Sequence, residues 1–254
     1  MAALPVTPVP TPAPETAALS QIARIVDTFV APSKTFADVR RSASWWAPFI
    51  LLSVVALAFF YQVDQTIGFR KVAENQISES PRATRQMEQL PPGQREQALT
   101  RQTNGTRYFL YGYPAIILLR NLIIAAVLFA TFKFAVSADL QFSKSLAVVM
   151  YASLPLVVRT LLAMLSVAAG ASPDSFNIRN SVATNPGYFL NRVDAPFLYG
   201  IATAVDICMI WTLIVTAIGF SCVGKVKRST ALAIVFGWYV VFTLAAAALG
   251  ALSG

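Results

Sequence analysis

The sequence predicts an all-α, polytopic membrane protein with five transmembrane helices, an N-terminal amphipathic helix and a small extramembrane helical hairpin between the first two spans. Three observations carry this. Of 254 residues, 56% are hydrophobic and only 13% are charged, about half the charged share of a soluble domain. Mean hydropathy is +0.59, and the apolar residues fall into separate blocks, each near the ~20 residues that a hydrocarbon core of ~30 Å requires. The blocks are unbroken runs and not ten-residue alternations, so they cross as helices, which satisfy their own backbone polar groups in lipid.

Residues 1–18 open the chain with Pro5, Pro8, Pro10, Pro12 and Pro14 among Ala, Val and Thr, which predicts a disordered, polyproline-like tail. It lacks the basic and apolar regions of a secretory signal, so the first hydrophobic block is expected to be retained. Residues 19–46 read as an interfacial segment. Leu19, Ile22, Val26, Phe29 and Val30 recur at helical steps, while Gln21, Arg24, Asp27 and Thr28 fall elsewhere. Pro32 interrupts this helix, and Ser33 can cap a short second one that carries Phe36 and Val39. Trp45 and Trp46 then stand where an interfacial aromatic belt belongs. The predicted arrangement lies flat on the bilayer. Leu19, Ile22, Val26, Phe29 and Phe36 sit below the head groups, and Lys34, Arg40 and Arg41 meet anionic lipid. The competing reading is a helix packed against the bundle or a protein partner.

The five spans are expected at about 47–67, 113–132, 146–170, 197–223 and 230–252. Between the first two, residues 68–107 are polar and cut by Pro81 and Pro91-Pro92-Gly93, the pattern of a helical hairpin outside the membrane. Ser172 to Pro196, rich in Asn and Pro, reads as an irregular loop. An odd number of spans puts the termini on opposite sides. Lys and Arg outside the spans divide nine to nine between the two sides. The short connections holding Lys133 with Lys144, and Lys225, Lys227 and Arg228, are the denser ones and break the tie. The expected orientation in a cell inner (cytoplasmic) membrane is N-terminus cytoplasmic, C-terminus outside.

Four ionisable residues, Asp64, Arg120, Arg159 and Asp206, fall in or near the spans. Each needs a reason, because a charge at mid-bilayer costs at least ~2.5–3.5 kcal/mol. At the helical rise, Arg159 and Asp206 lie ~16 and ~14 Å from the same end, so neighbouring helices can pair them. Asp64 and Arg120, at ~5 and ~10 Å, can meet likewise. Such pairs serve either as structural clamps or as a polar path for a small solute or ion, which makes a transporter or channel the alternative function. Gly200 with Ala204, and Gly250 with Gly254, offer small-residue faces through which a homo-oligomer could form.

Other functions are excluded by what the chain lacks. It has no histidine, which removes Ser-His triads, HExxH zinc sites and haem ligation by His. Cys208 and Cys222 are ~21 Å apart on one helix and cannot pair. Gly-rich phosphate loops, CxxC pairs and nucleophile elbows are missing. The basic residues of the hairpin alternate with Glu and, beyond Phe69, lack aromatics until Tyr108, so no nucleic-acid partner is expected. The chain reads as non-enzymatic, with no catalytic residues, metal or cofactor; its expected partners are the lipid bilayer with its anionic lipids and a protein or a second copy.

The stretch Arg24-Ile25-Val26-Asp27-Thr28-Phe29-Val30-Ala31-Pro32-Ser33-Lys34-Thr35-Phe36, followed by Trp45-Trp46-Ala47-Pro48, resembles bacterial members of the Yip-one (Ypt-interacting protein one) family. These begin with a helix, a conspicuous proline, a phenylalanine a few residues on, and the first of five spans. Residues Met87 to Glu96 are similar to the polar hairpin such chains place after that span. The resemblance implies a cytoplasmic N-terminus, five spans and a non-enzymatic role in membrane organisation or as a protein-partner scaffold. Eukaryotic members bind small Rab-type GTPases; their DLYGP motif is absent here, Tyr111-Gly112 and Tyr199-Gly200 standing in other contexts.

Overall fold

The computed structural model describes residues 18–253, and every regular element among them is helical. The tail predicted over residues 1–18 lies, up to residue 17, outside the described residues. Helix α1 (Gln21–Val30) starts where the Ser20 hydroxyl accepts from the Ala23 amide. Pro32, with no N–H to lose, opens α2 (Pro32–Val39). The first span, α3 (Trp46–Thr66), ends at Gly68, whose φ of +84° is cheap only for glycine and turns the chain into α4 (Phe69–Ser78).

The polar insert is three helices: α4, α5 (Pro81–Glu88, capped by Ser80) and α6 (Pro92–Tyr111). Helices α4 and α6 pack on each other with α5 between them in sequence, and Phe69, Val72 and Leu99 are buried. The second span, α7 (Tyr113–Ala130), runs into a π-helical turn over Thr131–Ala135. The third is α8 (Phe142–Ala152) followed by α9 (Pro155–Ala168). The helix is interrupted at Ser153 and Leu154 because Pro155 has no N–H to donate to the preceding turn.

The fourth block departs from the single span predicted over 197–223. It is two helices, α10 (Pro196–Ala204) and α11 (Ile207–Gly224), separated by a non-helical Val205 and an extended Asp206. The cause is local: the Asp206 carboxylate accepts from the Met209 amide at 3.0 Å and so starts α11 as its N-cap. Only α11 is long and apolar enough to cross, giving five candidate spans at Trp46–Thr66, Tyr113–Ala135, Phe142–Ala168, Ile207–Gly224 and Arg228–Ala251. The last belongs to α12 (Arg228–Ser253).

Helix α8 is the axis of the bundle. Every residue from Ser145 to Ala152 is buried, against α7, α11, α2, α1 and α3. Phe132 stacks on Phe220 with ring centroids 4.6 Å apart, joining the second span to α11. Apolar side chains also cover the outside, for example Ile50, Val54, Leu119, Ile123, Leu165 and Val241. Such helices, hydrophobic all round, are those expected when lipid and not water surrounds the bundle.

Candidate functional site: the N-terminal helix pair and the intramembrane charges

Polar groups join the two N-terminal helices to each other, and a further hydrogen bond ties them to the bundle. Arg24 of α1 and Asp38 of α2 form an ion pair, Nε to Oδ2 2.6 Å, with both side chains 3% exposed. The other carboxylate oxygen accepts from Arg41 at 2.6 Å. Arg24 also donates to the Ser42 carbonyl at 3.1 Å, and its own carbonyl accepts the hydroxyls of Thr28 and Thr35. The fully buried Tyr151 of α8 donates its hydroxyl to Gln21 at 2.7 Å. Burial alone would push the Asp38 carboxyl up. The hydrogen bonds from Arg41 and Arg24 outweigh it and hold the group below the usual carboxylate range.

This reverses the predicted placement of several side chains. Phe36 is 0% exposed inside the protein, not below head groups, because it meets α11 at Gly219. Phe29 packs edge-on against Trp211 at 5.6 Å. Leu19 is half-buried. The apolar residues of α1 that face outward are Ile22, Val26 and Val30, at 76%, 53% and 73% exposure. Lys34, Arg40 and Arg41 are on the surface. The Arg24–Asp38 pair was not singled out from sequence; its trace there is that both residues lie off the apolar stripes of their helices.

The structure brings Arg159 and Asp206 together, Nε to Oδ2 3.7 Å. Asp206 also accepts the Thr184 hydroxyl and caps α11, while Arg159 donates to the Arg179 carbonyl at 3.1 Å. The other predicted pair does not form. Asp64 instead meets Arg107 at 3.7 Å and the Tyr111 hydroxyl at 3.3 Å, because α6 runs on to the end of α3 and delivers a nearer cation. Arg120 points elsewhere, to a cavity of about 720 Å³ between α3, α6, α7 and α9, and its Nε is buried with no hydrogen-bond partner.

The polar insert and the Ser172–Pro196 loop are tied to one another. Arg70 makes a two-pronged bond to Glu96, at 2.7 and 2.9 Å, joining α4 to α6. Lys71 reaches Asp174 at 2.6 Å, and the Asn75 amide donates to the carbonyls of Pro173 and Phe176. The Asp174 partner raises the Lys71 pKa, and Lys71 lowers that of Asp174. Burial pushes the Glu79 carboxyl up, opposed by the fields of Arg192 and Arg179.

Among the described residues no group of three or more His, Cys, Asp or Glu could hold a metal ion, and Cys208 and Cys222 are free thiols. Gly200, read as part of a packing face, is used within the chain: a Cβ there would lie 3.0 Å from the Ala247 Cβ of α12. Nearby, the Tyr239 hydroxyl donates to the Ala204 carbonyl at 2.7 Å. Gly254 of the other predicted face lies outside the described residues.

No curated protein and no solved structure matches the chain significantly. The model of the Yip1 domain matches residues 26–249, a stretch that begins within α1, takes in the first four apolar helices and covers all but the end of the fifth. This multi-pass membrane protein therefore belongs to the Yip1 domain family.

Proposed function

We propose that the chain is a non-enzymatic membrane scaffold, whose bundle organises the bilayer or holds a protein partner while the N-terminal helix pair rides on the cytoplasmic leaflet. The observation that carries this reading is the inverted amphipathicity of α1. Its polar residues Arg24 and Thr28 point into the protein, and Ile22, Val26 and Val30 point out. In water that orientation would leave three branched side chains exposed, at ~25 cal/mol per Å² of apolar surface. Against acyl chains the same surface costs nothing, so the outward stripe supports a lipid contact made by Ile22, Val26 and Val30. Lys34 and Arg40 supply positive charge toward anionic head groups.

Orientation follows the same residues. Arg228 donates to Ser33 at 3.3 Å, so the basic Lys225–Arg228 connection shares an end of the molecule with Lys34 and Arg40. A concentration of Lys and Arg in short connections favours the cytoplasmic side, which supports a cytoplasmic N-terminus and an outside C-terminus in a cell inner membrane. A transport role through Arg159 and Asp206 has less support, since one Asp206 oxygen caps α11 and the other accepts the Thr184 hydroxyl.

The test is a nitroxide placed singly at residues 22, 26 and 30 of the full chain in vesicles, with Cys208→Ala and Cys222→Ala removing the native thiols. Collision with dissolved oxygen and exclusion of a water-soluble nickel chelate is the expected pattern at all three. The opposite pattern overturns the lipid-facing assignment.

A further inference from the structure

We propose that the cavity between α3, α6, α7 and α9 is a binding site for a phosphate-bearing lipid, whose head group rests on Arg120, Arg159 and Arg179 while an acyl chain runs along the apolar wall. The cavity measures about 720 Å³, within the range of about 300–1,000 Å³ typical of ligand sites. All three arginines line it, and among the described residues no Asp or Glu does. Its remaining wall divides by chemistry. Val55, Phe59, Phe60, Ile116 and Ile117 form an apolar side from α3 and α7, and Gln76, Gln102 and Ser181 add uncharged polar groups from the extramembrane elements. The lining therefore holds both groups suited to an anion and side chains suited to hydrocarbon.

The charge balance leaves a vacancy of negative charge. Asp206 offsets Arg159 at 3.7 Å, and Glu79, which feels the field of Arg179, also faces Arg192 at 3.9 Å. Arg120 has neither an ion pair nor a partner for its buried Nε. Like charges gathered beside apolar walls repel more strongly than in water, and an anion entering between them relieves that repulsion. Guanidinium groups suit phosphate because their paired N–H donors match two of its oxygens. Basic pockets between membrane helices recognise anionic head groups on these grounds. The site is separate from the Lys34 and Arg40 surface and does not depend on the scaffold reading; it needs only that the bundle be embedded in lipid.

The experiment is a native mass-spectrometric titration of the full chain, in mild detergent, with phosphatidylglycerol, phosphatidylcholine and inorganic phosphate in separate arms. The expected result is one phosphatidylglycerol held about tenfold more tightly than phosphatidylcholine, with inorganic phosphate unable to displace it. Arg120→Gln weakens this binding by about tenfold, the loss of one charge-assisted hydrogen bond, and Arg120→Gln with Arg179→Gln by about a hundredfold. Gly105→Phe tests the apolar half without changing charge. Gly105 lines the cavity, a Cβ there meets nothing within 4 Å, and the added ring abolishes lipid retention while phosphate binding is unaffected. Lys227→Gln, a basic residue outside the cavity, leaves the titration as it was. Equal retention of the two lipids, or wild-type affinity in Arg120→Gln, overturns the proposal. Displacement of the lipid by inorganic phosphate on equal terms also overturns it, by making the site one for the free anion. If Arg120→Gln does not fold, the Gly105→Phe comparison decides.

Discussion

Asp38 shows what a single residue contributes when its partners are fixed. It is buried beside Arg24 and takes a second bond from Arg41, so removing its carboxylate leaves the Arg24 guanidinium buried and unmatched. Asp38→Ala should cost about 3–5 kcal/mol, while Arg24→Met combined with Asp38→Leu should recover most of that loss. Thermal unfolding in detergent measures both. The pH dependence has a definite sign. Because the folded-state pKa is depressed, the stabilisation is complete above the unfolded carboxyl value of about 3.9 and fades as pH falls through the lower folded value. Melting curves should therefore show no Asp38 contribution to pH dependence between pH 5 and 8. The steep acid-side fall should be reduced in Asp38→Asn. The pair was hard to read in advance because its members stand 14 residues apart across the Pro32 turn. Periodicity tells which residues share a face of α1, but not whether that face meets protein or lipid.

At the scale of elements, the seat of α2 depends on a missing side chain. A Cβ on Gly219 would lie 2.5 Å from Val148 Cγ1 and 3.1 Å from the Phe36 ring. Gly219→Val should destabilise the bundle by about 1–3 kcal/mol through overpacking. It should also make the N-terminal helix pair more sensitive to limited proteolysis. Adding Val148→Ala should restore part of both, and an unchanged digestion pattern would show that α2 is not held there. The spans themselves were legible because each is a long local run whose partition into lipid depends on its own composition, as for Trp46–Thr66 and Arg228–Ala251. The break at Asp206 was not. Hydropathy averages over one aspartate, and the hydroxyl that engages it belongs to Thr184, 22 residues away in an irregular loop. The Asp64–Arg120 expectation failed for a related reason: it counted depth along spans and left out α6, whose Arg107 arrives first.

For the whole molecule, if all five candidate spans cross, the two ends lie on opposite sides of the bilayer. Single cysteines at residue 40 and at the C-terminus, in a chain without native thiols, should react with a membrane-impermeant maleimide from opposite faces of intact cells and inverted vesicles. Reaction of both from one face would remove a crossing. The crossings also differ in length. The apolar stretch of α11 has 18 residues and that of α12 has 24, about 27 and 36 Å along the axis. One neighbour is thus too short for a typical hydrocarbon slab and the other too long. Tilt of α12 and local thinning around α11 are the expected ways to absorb that mismatch, and α12 packs against α10. A thicker bilayer should therefore draw α12 closer to the membrane normal and a thinner one tip it further, with α10 moving along with it.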